Sequence, residues 1–496
     1  MPAERSGTPG TGRGNSRPWE ASQASPGRAR DYAAVLARQR EIILRSTGVD
    51  YAQFEGPGLA FDYERMMSAT GYSLPEVQQI QGECEVGNTP LLELRQLTAL
   101  ARKLAPAGKG ARIFLKDEAC NPSGSFKARR AALSVYHART HGYAGVVAAT
   151  SGNYGAAVAS QAARQGLKCI VVQETYDSRT VGQPEIIEKG RACEAYGAEV
   201  LQLTVGPELF YTFLLVLEDT GFFNASLYTP FAIAGIETLG YELAVQTRSR
   251  CGRFPDAVVV THAGGGNVTG TARGLRKAGS TQTQVIGASV DLSGLHMASD
   301  RDFNRKSFTT GHTGFGVPFA VNPDRADVPR NAARPLRYLD RYVTVTQGEV
   351  FYATELLAQL EGLERGPAGN TSLAAAFVLA QQMDRDQIVV VNETEYTGAG
   401  KHPTAQLTFA RQNGIEVRTG DPRDNVPGRC IVIPEDPAQM QVVEQDLDRI
   451  RRSYLRHVLG SRRPEELERP ELEYLAEEIH TSPGRLQQLL GQLDPG

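Results

Sequence analysis

The stretch AGVVAATSGNYGAAVASQAARQGLKCIVVQE, residues 144–174, decides the fold. It begins as a short apolar, β-branched run and breaks at a turn of small residues. It continues as an Ala-rich amphipathic segment and returns to a second apolar run. Two continuous apolar runs with a helical segment between them read as buried parallel strands of a βα unit. The same grammar extends outward. ARIFLKDE (111–118) precedes it, and DAVVVTHAGGGNVTGTARGLRKAG (256–279), TQVIGASVD (283–291) and QIVVVNETE (387–395) follow. Such alternation over about residues 112–400 predicts an α/β fold with doubly wound, mainly parallel sheets.

The two ends read differently. DYAAVLARQREIILRS, from Asp31, has apolar residues at helical spacing and predicts an N-terminal helix laid against the body. Residues 1–30 are rich in Gly, Pro, Ser and Arg and predict a disordered, solvated tail. Past residue 431, QVVEQDLDRIRRSYLRHVL and ELEYLAEEIHTSPGRLQQLLGQL are charged, amphipathic and helical, and predict a C-terminal extension. The expected division is a tail (1–30), then a helical arm with the start of a large domain (31–110). A small α/β domain (111–235), the large α/β domain (236–430) and the helical extension (431–496) follow.

Composition removes several classes of function. The chain has 496 residues, enough for two to four domains. Lys+Arg 53 against Asp+Glu 56 gives a net charge of −3, which argues against a nucleic-acid binder. The six cysteines form no C-x-x-C pair, so zinc and thioredoxin-like readings lose their support and free thiols are expected. There is no apolar run of 18 residues and no apolar core in the first 20. The expectation is a soluble, cytoplasmic protein that neither spans a membrane nor carries a secretory signal.

Ligands of open α/β sheets bind at the carboxyl ends of strands, so the loops after strands carry the chemistry. In NPSGSFKARRAALSVYHA (121–138), Lys127 falls in the first turn of a helix, where the helix dipole disfavours a cation. That position helps lower the pKa of a Schiff-base lysine. The bland alternative is an exposed lysine that solvates the helix along with Arg129 and Arg130. In the second loop, Thr150, Ser151, Gly152, Asn153 and Tyr154 precede a helix and form a cradle suited to a carboxylate. An ordinary helix cap at Ser151 or Asn153 is compatible with that role. In the third loop, Gly264, Gly265, Gly266, Asn267, Val268 and Thr269 offer close backbone approach and N–H donors to a single phosphate group. A P-loop lysine and the dinucleotide register are both missing.

The order SxKxx, SGNxG, GGGN resembles the fold-type II pyridoxal-phosphate (PLP) enzymes, the threonine synthase and tryptophan synthase β group. The resemblance implies two doubly wound domains, with helical N- and C-terminal extensions here. It implies that Lys127 holds PLP, that Asn153 contacts the ring 3-hydroxyl and that the 264–270 loop holds the phosphate. Thr150–Tyr154 would take the substrate carboxylate. Thr394, flanked by Glu393 and Glu395, would face the pyridine nitrogen. No metal is implied. Ala128 follows the lysine where many relatives carry an acidic residue.

Longer stretches, among them VGQPEIIEKGRACEAYGAEV (181–200) and ASVDLSGLHMASDRDFNRKSFTTGHTGFGVPF (288–319), are similar to a family of PLP-dependent thiolase β subunits from ornithine degradation. That family splits an amino keto acid with coenzyme A. It implies a small α subunit as partner and a heteromeric assembly. A threonine synthase-like enzyme or an ammonia-lyase on the same cofactor site is the alternative. Within residues 293–318, Ser293, His296, Arg301, Arg305, Lys306, His312 and Thr313, with Gly311, Gly314 and Gly316, suggest a lid. His262, Cys84 and Cys120 read as structural.

Overall fold

A computed structural model describes residues 28–150, 152–293, 302–309, 326–396 and 403–493. Thirteen strands occur among the described residues. They are β1 (Leu91–Glu93), β2 (Arg112–Asp117), β3 (Gly145–Thr150), β4 (Lys168–Tyr176), β5 (Glu199–Thr204), β6 (Phe223–Asn224) and β7 (Ala257–Thr261), then β8 (Gln284–Val290), β9 (Arg341–Val345), β10 (Ile388–Glu393), β11 (Glu416–Thr419), β12 (Cys430–Ile433) and β13 (Val443–Glu444). Seven of them form one sheet in the order β1-β2-β10-β7-β8-β9-β13, parallel except at its two edge strands. Four form an all-parallel sheet, β5-β4-β3-β6. The apolar runs are buried along their whole length in β3 and β10, as strands covered on both faces require.

The helix Pro230–Cys251 ties the two parts together. A Cβ on its Gly235 would overlap the Arg129 carbonyl, and one on Gly240 would overlap the Thr271 carbonyl. Glycine at these two positions lets the helix lie backbone to backbone against both Lys127–Thr140 and Gly266–Lys277. Those two helices carry the lysine and the glycine turn. Buried Arg129 locks the junction through Glu118 and Glu242, with Nε to Glu118 Oε2 at 2.7 Å and Nη2 to Glu242 Oε2 at 2.8 Å.

Several boundaries differ from the sequence reading. Strand β2, expected in the small domain, lies inside the seven-stranded sheet between β1 and β10. The large sheet also reaches beyond residue 430, because β13 pairs with β9. The N-terminal segment is two helices, Tyr32–Ala37 and Gln39–Thr47, rather than one. The break falls at Arg38, whose Nη1 donates to the Ala34 carbonyl and whose guanidinium holds Glu218 at 2.8 Å. The arm therefore packs on the helix Glu208–Thr220, beside the small sheet rather than the large one. Arg30 of the expected tail pairs with Asp219, and residues 1–27 lie outside the described ones.

The C-terminal extension contains the helices Leu447–Leu459, Arg469–Glu478 and Pro483–Leu490. Buried Glu478 anchors it to the body by accepting from Arg334 Nη1 at 2.7 Å and Arg337 Nη1 at 2.6 Å. Among the described residues no helix is long and apolar enough to cross a membrane.

Candidate active site

The residues that end β3, β7 and β10 meet the start of the Lys127–Thr140 helix around one cavity of about 210 Å³. Of the sequence-predicted residues, Lys127, Thr150, Gly152, Asn153, Tyr154, Gly264, Gly265, Gly266, Asn267 and Thr394 line it. Ser151 lies outside the described residues. Three loops far apart in sequence thus converge at the strand ends.

Lys127 is placed by the end of β10. Phe126 N–H donates to the Thr394 carbonyl at 3.0 Å, and Tyr396 N–H donates to the Gly124 carbonyl at 2.8 Å. A bridge joins Ser125 to Glu395. The lysine loop and the Thr394 wall are therefore tied together through their backbones. Burial, with the charges of Lys189 and Arg130 added, lowers the Lys127 pKa to about 7, against the opposing pull of Glu185. Lys127 is half-buried and lines the cavity, so the exposed, solvating role open to it on sequence is excluded, and Arg129 and Arg130 are buried.

At the second loop, Thr150 Oγ1 accepts from Gly152 N–H at 2.9 Å and Gly155 N–H at 3.2 Å. The hydroxyl thus shapes the turn, and the turn presents the first amides of the helix Asn153–Gln165 to the cavity. Tyr154 is buried, and its hydroxyl donates to the Ala225 carbonyl at 2.6 Å. Asn153 Oδ1 accepts from Lys189 Nζ, and Lys189 also holds Glu185 at 3.1 Å. This bond fixes the amide of Asn153 so that its NH₂ side is turned from Lys189.

The third loop is a cradle in which side chains do not fit. A Cβ on Gly264 would overlap the Tyr228 hydroxyl, and one on Gly266 would meet Arg130 Nη2 at 2.6 Å. Gly265 has φ +87°, in the left-handed region, and turns the chain into the helix Gly266–Lys277. Two residues of the predicted phosphate turn sit elsewhere. Val268 is a fully buried core residue, which leaves only its amide toward the loop. Thr269 is committed to structure: its N–H and hydroxyl both bond the Gly265 carbonyl at 3.0 Å, and its Oγ1 accepts from Arg334 N–H.

Around Thr394 the strand has just ended, so the strict two-residue alternation lapses. Thr394 and Glu395 both line the cavity, while Glu393 turns to Gly369 and accepts from Glu395 N–H at 3.1 Å. The described piece of the expected lid is pinned down. Arg305 pairs with Asp177 at 2.5 Å and also with Asp302, and Gln183 donates to the Asn304 carbonyl at 3.0 Å. Arg305 is thus a structural cation, and Phe303 is the residue this piece offers to the cavity. His296, Arg301, His312, Thr313, Gly311, Gly314 and Gly316 lie outside the described residues. His262 is buried beside Tyr342, and burial lowers its pKa to about 3, so it is neutral. Cys84, Cys169, Cys193 and Cys430 are buried free thiols, and Cys120 is exposed.

Sequence reading passed over Arg130, Gln183, Glu185 and Tyr228 as cavity residues, and Lys189 behind them. Helical spacing carried a signal for three of these. Arg130 is three residues past Lys127, and Glu185 and Lys189 are four apart, so each pair shares a helix face.

An amine with its pKa lowered to about 7, an amide fixed at one side and a glycine turn at a helix N-terminus suit a cofactor with an aldehyde, a ring hydroxyl and a phosphate. The chain belongs to the family of pyridoxal-phosphate dependent enzymes, which matches residues 83–394 and so takes in all three loops. The glycine turn, which lines the cavity at the N-terminus of the helix Gly266–Lys277, fits the phosphate of PLP. Within that family the chain belongs with the 2-amino-4-ketopentanoate thiolase beta subunits. It is 66% identical over 450 residues to one from an unknown prokaryotic organism, across 91% of this chain and 95% of that one. It is 65% identical over 447 residues to that of Acetoanaerobium sticklandii, across 90% and 95%. The crystal structure of a pyridoxal 5'-phosphate-dependent aspartate racemase shares the fold alone, with a TM-score of 0.50 and 19% identity over 66% of this chain and 96% of that one.

Proposed function

We propose that this chain is a catalytic β subunit that cleaves 2-amino-4-ketopentanoate with coenzyme A, giving acetyl-CoA and alanine, in ornithine degradation. The observation that carries this reading is the 66% identity to a thiolase β subunit over 91% of the chain. The cavity built around Lys127 supports it.

Lys127, Asn153, the amides of the Gly264–Val268 turn and Thr394 would hold PLP at its aldehyde, ring hydroxyl, phosphate and pyridine nitrogen. When bound, PLP supplies an electron sink for negative charge next to the amino-acid nitrogen. Lys127, with its pKa near 7, takes up the Cα proton and returns one there. The turn from Thr150 to Tyr154 binds the substrate carboxylate at the N-terminus of its helix. Thr394 offers a neutral hydroxyl to the ring nitrogen, whereas Glu395 on the same wall would favour its protonation. In the thiolysis itself, the sulfur–C4 bond forms as the C3–C4 bond breaks, and the thiol proton ends on C3 as part of the alanine methyl group. No enzyme cysteine enters, in keeping with an exposed Cys120 outside the cavity. A small α subunit and a cytoplasmic setting complete the reading.

The test is CoA consumption. The PLP-loaded chain, with and without the small subunit, is given 2-amino-4-ketopentanoate and CoA. Acetyl-CoA and alanine form together, and Lys127→Ala abolishes both. CoA left untouched with the partner present refutes the thiolase reading. Ammonia or phosphate release from another amino acid then identifies a lyase on the same site.

A further inference from the structure

Arg130 lies one turn past Lys127 on the same helix face and is 3% exposed. Its Nη1 donates to the Leu227 carbonyl at 2.8 Å, and its guanidinium lies over the Phe126 ring at 5.3 Å. Its Nε is buried with no hydrogen-bond partner. Among the described residues no carboxylate pairs with it, whereas its neighbour Arg129 holds two. A guanidinium taken out of water without a counterion is strongly unfavourable, so an anion belongs beside it. The place is fixed by Gly266, whose missing Cβ would stand 2.6 Å from Nη2 and 2.9 Å from Nη1. The glycine turn and the first amides of the helix Gly266–Lys277 converge there, and both line the cavity with Arg130.

We propose that Arg130 is a phosphate ligand, binding the phosphate of PLP at the Gly264–Asn267 turn through Nη2. The proposal rests on the reading of this cavity as a PLP site. The turn and the helix dipole offer only partial positive charge to a phosphate dianion. Arg130 adds a full unit charge, and Nη2, which faces Gly266 and is left over by Leu227, adds charged N–H donors. The lysine and the phosphate cation thus share one helix, three residues apart. Cofactor attachment and phosphate neutralisation are coupled through a single rigid element.

The experiment compares PLP with pyridoxal, which lacks the phosphate, on the full-length apoprotein. Binding is followed by the visible absorption of the lysine-bound ligand. In Arg130→Met, PLP affinity falls by about 10- to 100-fold, as expected for loss of a charged hydrogen-bond partner, and pyridoxal affinity stays within about 3-fold. If that variant does not fold, the same ratio is read on Arg130→Gln, with circular dichroism as the folding control. An equal loss for both ligands makes Arg130 a structural support and overturns the proposal, as does an unchanged PLP affinity. An unaltered chain that binds neither ligand refutes the PLP reading itself and the proposal with it.

Discussion

The pKa of Lys127 can be tested without substrate. An ordinary lysine with a pKa of 10.5 is neutral in about one molecule in 3,000 at pH 7, whereas Lys127, at about 7, is neutral in about half. The gain in reactive amine at neutral pH is about 1,500-fold on those two values. Its causes are burial first, then Lys189 and Arg130, with Glu185 opposing. Only the neutral amine attacks an aldehyde. Pyridoxal capture by the apoprotein, followed by stopped-flow absorbance, should therefore rise with pH through a midpoint near 7 and level off above it. Lys127→Ala removes the fast phase. Lys189→Met removes the strongest like-charge neighbour, so the midpoint moves up and capture at pH 7 slows, while the high-pH plateau is retained. A midpoint above about 9 in the unaltered chain, or a downward shift in Lys189→Met, refutes the reasoning.

Glu478 anchors the C-terminal helices, and Glu478→Ala leaves Arg334 and Arg337 buried without their shared carboxylate. Urea unfolding should show a loss of about 3–5 kcal/mol. Burial pushes the Glu478 pKa up, but Arg334 and Arg337 outweigh it and hold the group below its ordinary value. Its contribution is therefore complete above the unfolded carboxyl pKa and lost as pH falls through the folded one, visible as acid destabilisation that Glu478→Ala lacks. Gly265→Ala places a methyl 2.5 Å from Pro335 at φ +87°, so PLP affinity measured by titration should fall at least about 10-fold. Gly279→Ala, at φ +80° with open space, should leave PLP affinity unchanged and cost about 1 kcal/mol of stability. Cys120 should be alkylated first in the native chain, mapped by peptide mass, with activity retained.

The α/β class was legible because parallel strands buried on both faces need continuous apolar runs, and β3, β7 and β10 supply them. The three loops were legible because small residues at a strand-to-helix turn have few other uses. Domain boundaries were not. β2 is as apolar as a small-domain strand would be, and only its pairing with β10 assigns it to the larger sheet. The break at Arg38 was hidden as well, since the apolar spacing runs through it and the cause is Glu218, 180 residues away.

Arg130 marks the line between the two sources of information. Residue type and spacing alone fixed the α/β class, the lysine at a helix start, the glycine turn and their order, because these depend on neighbours along the chain. Tertiary structure alone decided that Arg129 is neutralised by Glu118 and Glu242 while Arg130, the next residue, faces Gly266 in the cavity with no carboxylate among the described residues. Both are arginines on a helix, and although spacing puts Arg130 on the Lys127 face, it does not tell which of the two meets a carboxylate. Their surroundings differ because successive residues on a helix point about 100° apart, and the packing of Pro230–Cys251 sets which direction meets a carboxylate and which meets the cavity.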